Sequence, residues 1–173
     1  MNISTLIARA TSGAGKKTIY KSPGKMPSFD ASVWPYNSQN DCSGYVDWCL
    51  RFSPNRKVDH PLYKKINGGW FETSGIHADG LASTGYFSRI ENAKPGAILV
   101  YPDYTGSDGN SHDGHMGIVL EVNGGKGVKG VTKIVHCSNG AYTKLGDAIQ
   151  ITGSEIWQIK KESIIVWLDG LEE

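Results

Sequence analysis

The stretch Asp41-Cys42-Ser43-Gly44-Tyr45-Val46-Asp47-Trp48-Cys49-Leu50 constrains this chain more than any other. A polar tetrad opens it and an apolar, helix-compatible run follows. Asp and Ser are good capping residues, so a helix starting at Asp41 or Cys42 is expected. At helical spacing Val46, Cys49 and Leu50 share one face, and Tyr45, Trp48 and Phe52 form a second stripe. A helix apolar on two faces is covered on both sides, which places it inside the domain. Ser53-Pro54-Asn55 ends it, because proline restricts the residue before it and cannot continue the hydrogen-bond ladder.

That helix carries Cys42 in its first turn, where unpaired backbone N–H groups and the positive end of the helix dipole point. Both stabilise a thiolate, the species that attacks a carbonyl carbon. A nearby Asp41 carboxylate works in the opposite direction. A free cysteine is also an ordinary small core residue, so position alone leaves both readings open.

The chain has 173 residues, enough for one domain, 1–173, with a hydrophobic core. A net charge of +1 gives no polyanion-binding surface, so nucleic acid is not the expected partner. Three cysteines, Cys42, Cys49 and Cys137, cannot form a disulfide framework. Met1 to Ala14 lacks the basic and apolar regions of a conventional secretory signal, and no stretch has the apolar length of a membrane span. The expectation is cytoplasmic synthesis without such a signal and no membrane insertion.

In chain order, Ile3, Leu6, Ile7 and Ala10 predict a short amphipathic helix. Thr11 to Thr18 has glycines and lysines but not the spacing of a phosphate loop, and reads as a solvated turn. Residues 19–40 read as a loop broken by Pro23, Pro27 and Pro35, with Tyr20, Phe29, Trp34 and Tyr36 available to cover a core or line a groove. Residues 54–94 carry no firm pattern beyond part of a short helix within 77–82. Strands follow at Ala97–Tyr101, His115–Val122 and Val131–Cys137, the last two as an antiparallel hairpin with an enlarged glycine-rich connection. Ile156–Ile159 and Ser163–Leu168 supply one or two more. Helices first and an antiparallel sheet later give an α+β domain.

Of the five histidines, His115 opens one strand and His136 lies near the end of its neighbour. Antiparallel pairing brings these two ends together, beside which the start of the Cys42 helix can pack. Cys42 would attack, His115 would take the thiol proton and return it to the leaving amine, and His136 would orient His115. The backbone N–H of Cys42 or Ser43 would serve the oxyanion. The alternatives are imidazoles that merely cap strand ends, and a metal site built from His112 and His115 with Asp113, His136 or Cys137. No cofactor is expected.

Asp-Cys-Ser-Gly-Tyr-Val at 41–46 resembles the nucleophile motif of the NlpC/P60 peptidoglycan hydrolases, a branch of the papain-like cysteine peptidases. Lys-Pro-Gly-Ala-Ile-Leu-Val-Tyr at 94–101 resembles that family's proline-glycine turn, with Ala97 where an acidic residue is usual. Gly-His-Met-Gly-Ile-Val at 114–119 is similar to its histidine motif, and Lys-Ile-Val-His-Cys-Ser at 133–138 to the strand bearing its third polar residue. A related class of amidases and endopeptidases also uses a Cys–His pair, with different motifs around both.

The resemblance implies N-terminal helices packed on a central antiparallel sheet, a Cys42–His115–His136 site, and substrate contacts at Tyr20, Ser43 and Gly114. It implies hydrolysis of an amide bond in the peptide stem of bacterial peptidoglycan, as an endopeptidase or as an amidase at the muramic acid–L-alanine bond. The compact form is similar to phage endolysins and to injected wall-degrading effectors, which act at a target cell's wall or periplasm as monomers and, for effectors, against a cognate immunity protein. A silent wall-binding module of the same fold, or an acyl-transfer enzyme on another substrate, remain the competing readings.

Overall fold

A computed structural model describes residues 1–173. In chain order it contains α1 (Ile3–Thr11), β1 (Ile19–Tyr20), β2 (Gln39–Asn40), α2 (Cys42–Leu50), α3 (Pro61–Asn67), α4 (Thr73–Ala82), β3 (Phe87–Ile90) and β4 (Ile98–Tyr101). There follow β5 (Tyr104–Thr105), β6 (Ser111–His112), β7 (His115–Val122), β8 (Val131–Cys137), α5 (Asn139–Leu145), β9 (Ile149–Thr152), α6 (Glu155–Gln158) and β10 (Ile164–Leu168).

Six strands form one antiparallel sheet in the order β3-β10-β4-β7-β8-β9. Side chains alternate across it, as strand geometry requires. Ile98, Val100, Met116, Ile118, Val135 and Cys137 point to the side of α1, α2 and α4, where the larger core lies. Ala97, Leu99, Val119, Ile134 and Ile165 point the other way, onto Trp157 of α6. The α+β arrangement of helices on a central antiparallel sheet is therefore present. No helix is long and apolar enough to cross a membrane.

All nine residues of α2 are buried, as its two apolar stripes require. Trp34 packs edge-on against Tyr45 and Trp48, each at 5.0 Å between ring centres. Tyr45 donates its hydroxyl to the Ala10 carbonyl of α1. Helix α2 stops at Arg51, which adopts a left-handed conformation (φ 51°), before Pro54 is reached. The aromatic residues of 19–40 divide: Trp34 belongs to the core and Tyr36 is exposed.

One expectation needs correction. Ile156–Ile159 is a helical turn, not a strand; Ile156 and Ile159 are exposed and only Trp157 is buried, so no sheet face exists for an alternating strand to bury. Residues 54–94 contain two helices and an edge strand. They are held by Asp79, which accepts the Tyr63 hydroxyl at 2.7 Å and the Tyr86 and Phe87 N–H groups at 2.7 and 3.2 Å.

Candidate active site

Helix α2 is fixed at both ends, and that fixes Cys42. At its start Asp41 Oδ1 accepts the Gly44 N–H at 2.8 Å, a regular N-cap. At its end the buried Arg9 donates to the carbonyls of Trp48 and Cys49 at 2.6 and 3.2 Å. The Cys49 carbonyl has no backbone partner, while that of Trp48 also accepts the Arg51 N–H at 3.2 Å, and a cation there meets the negative end of the dipole.

The Cys42 thiol is 7% exposed and lines a cleft of about 330 Å³ together with Tyr20, Ser43 and Gly114. Burial pushes the thiol up to about 12, and the Asp41 charge adds to the rise. The N–H groups of Met116 and Ser43 and the Arg56 guanidinium pull the other way. Burial also raises the Tyr20 phenol, with a further contribution from charge at Cys42, so this ring stands near the thiol. Gly114 has no room for a side chain: a Cβ would fall 2.5 Å from Thr73 Oγ1 and from the Tyr101 carbonyl.

Strands β7 and β8 pair in a register that matches Ile118 with Val135, which brings the start of one beside the end of the other. His115 Nε2 lies 2.8 Å from His136 Nδ1, and His136 Nε2 lies 3.0 Å from Thr152 Oγ1 on β9. Trp157 stacks on the His115 ring at 5.2 Å and meets the His136 ring edge-on at 5.2 Å. Burial lowers His115 to about 3, helped by neighbouring His136, and lowers His136 to about 4. Both imidazoles are therefore neutral at rest.

The expected site residues thus form two groups. His115 and His136 bond each other on the Trp157 side of the sheet, while Cys42, Ser43, Tyr20 and Gly114 surround the cleft on the helix side. They meet where β7 begins: Gly114 lines the cleft, and His115, the next residue, turns to the Trp157 side. Neither imidazole hydrogen-bonds the thiol in this resting arrangement, and His115 Nδ1 has no partner. The metal alternative lacks its cluster: His112 bonds Asp108 at 3.2 Å and stacks on Tyr104, and no group of three or more His, Cys, Asp and Glu side chains is placed to hold an ion. All three cysteines are free and buried.

Three residues at the site carry no signal in the sequence. Arg56 arrives from a loop and grips Asp41 with two nitrogens. Thr152 and Trp157 come from segments read respectively as unassigned and as strand. The composition of an irregular loop does not specify which side chain turns inward, so only the order of the strands could have pointed to Thr152.

A family model described as the CHAP domain matches residues 31–137. The match covers more than half of the chain and takes in Cys42, Ser43, Arg56, Gly114, His115 and His136. Tyr20, Thr152 and Trp157 lie outside it. The matched family is not NlpC/P60, whose motifs the sequence resembles. No curated protein matches the sequence.

Proposed function

The chain belongs to the CHAP family of cysteine- and histidine-dependent amidohydrolases and peptidases, a papain-like class related to NlpC/P60 but distinct from it, and from that premise we propose that it hydrolyses an amide bond in the peptide stem of peptidoglycan. One observation carries the reading. The thiol sits at the capped start of α2 in a cleft shared with Gly114, the residue before His115, whose Nε2 is held by His136 and whose Nδ1 is unpartnered.

In the proposed reaction His115 Nδ1 takes the Cys42 proton as the sulfur attacks the amide carbon. The tetrahedral oxyanion is served by the N–H groups of Cys42 and Ser43 at the helix start. The C–N bond breaks, and the imidazolium returns its proton to the leaving amine. Water then gives a proton to His115 and its oxygen to the thioester, releasing the carboxylic acid and restoring the thiol. His136 orients His115 throughout.

The test is mass spectrometry of purified Gram-negative and Gram-positive peptidoglycan digested by wild type and by Cys42→Ala. A new amine and carboxyl pair formed only by wild type supports the reading, and the fragment masses distinguish an endopeptidase from an N-acetylmuramoyl-L-alanine amidase. No products from a folded wild type on either wall overturn it in favour of a binding module or another acyl substrate.

A further inference from the structure

The hydrogen-bond chain behind His115 runs one residue past His136. Thr152 Oγ1 donates to the Gly153 carbonyl at 2.8 Å and lies 3.0 Å from His136 Nε2. A hydroxyl has one hydrogen. With that hydrogen on the Gly153 carbonyl, the hydroxyl meets His136 as an acceptor, so Nε2 carries the proton. A neutral imidazole has one N–H, so His136 Nδ1 is bare and accepts from His115 Nε2 at 2.8 Å. The single hydrogen of His115 is then on Nε2, and its unpartnered Nδ1 keeps a lone pair.

We propose that Thr152 is a positioning residue, which fixes both imidazoles in the tautomer that leaves His115 Nδ1 able to take the Cys42 proton. The inference rests on the reading of His115 as the base. A Thr152 hydroxyl donating to His136 would reverse every bond in the chain. His136 Nδ1 would donate to His115 Nε2, and the hydrogen of His115 would sit on Nδ1, where a base cannot use it. The selection therefore comes from the Gly153 carbonyl acting through Thr152.

The surroundings keep this chain specific. Trp157 packs on both imidazoles, stacked on His115 and edge-on to His136, and both rings are buried. Thr152 itself is exposed, at the end of β9. Removing its hydroxyl admits water at His136 Nε2, and water donates and accepts equally well, so the selection is lost. Thr152 also lies beyond the residues matched to the family, in the last strand of the β7-β8-β9 run.

The test is long-range ¹H–¹⁵N spectroscopy of histidine-labelled wild type, Thr152→Val and Thr152→Ser at neutral pH, with steady-state kinetics on the same samples. Wild type should carry both imidazole protons on Nε2. Thr152→Val should show mixed tautomers and a kcat about tenfold lower with KM retained, since a positioned base contributes on the order of a hundredfold or more. Thr152→Ser should restore both readouts. Thr152→Ala substitutes for valine if the latter disturbs β9. A wild-type His136 protonated on Nδ1, unchanged tautomers without the hydroxyl, or a tautomer shift without loss of kcat would each overturn the proposal. Full turnover by a folded His115→Gln variant, with tautomers as expected, would instead remove the base assignment and leave the tautomer control standing.

Discussion

The Arg56 guanidinium grips both carboxylate oxygens of Asp41, Nη1 on Oδ2 at 3.1 Å and Nη2 on Oδ1 at 3.0 Å. Asp41 caps α2, and its charge opposes thiolate formation at the next residue. Arg56 neutralises that charge without removing the cap. Lysine cannot reproduce a planar two-point grip. Arg56→Lys should therefore raise the Cys42 thiol further and slow its alkylation by iodoacetamide about three- to tenfold at fixed pH, given about tenfold per pKa unit. Alkylation rates against pH, on samples matched by circular dichroism, check this; an unchanged rate contradicts it.

The pH dependence of turnover should be a wide bell. In the proposed reaction the reacting form has a neutral His115 and a protonated Cys42. Activity is lost on the acid side as His115 gains a proton, which burial delays to about 3, and on the alkaline side as the free thiol ionises, which burial delays to about 12. Between the ordinary imidazole and thiol values of 6.5 and 9.0, kcat/KM should be flat. An acid limb centred at 6.5 would show a solvated imidazole instead.

Asp47 is fully buried, and neither of its carboxylate oxygens finds a hydrogen bond; its charged neighbour is Arg56 Nε at 3.5 Å. Burial raises its carboxyl well above the ordinary 3.8 despite that neighbour. The unfolded chain releases this proton near 3.8 while the folded chain holds it. Stability is thus full below 3.8 and declines as pH rises through the window above, by up to about 1.4 kcal/mol per pH unit. Asp47→Asn should remove the slope and be more stable than wild type at neutral pH in urea unfolding. A variant less stable at pH 7 with the slope intact contradicts the assignment.

Arg9 supports α2 from behind. It is 2% exposed, bonds the last carbonyls of that helix and lies 3.8 Å from the centre of the Trp48 ring. Arg9→Met keeps the volume and leaves the buried Cys49 carbonyl unpaired, at a cost of about 2 kcal/mol. Urea unfolding measures it, and turnover should fall with it because α2 places Cys42. A loss below about 1 kcal/mol would mean that packing alone seats the helix.

What the sequence made legible follows from periodicity and from order. The buried α2, the strands β7 and β8, and the pairing of His115 with His136 all rest on regular alternation and antiparallel geometry, both local properties. Arg56 and Asp79 were not legible, because each acts through a loop whose path depends on distant packing. Trp157 reads as part of a strand because Ile156, Trp157 and Ile159 look apolar in sequence, although only the tryptophan has a surface to cover. The cysteine and histidine motifs point to a thiol amidase, but their likeness to NlpC/P60 does not separate it from the CHAP family, whose model is the one that matches.

The most direct test is to trap the acyl-enzyme. Wild type would be mixed with muropeptides, quenched in acid within the first turnovers, digested and mapped by mass spectrometry. A muropeptide-derived mass on the Cys42 peptide, released by hydroxylamine and absent from Cys42→Ala, is the predicted result. Undiminished hydrolysis by a folded Cys42→Ala, with no adduct on wild-type Cys42, would contradict the account.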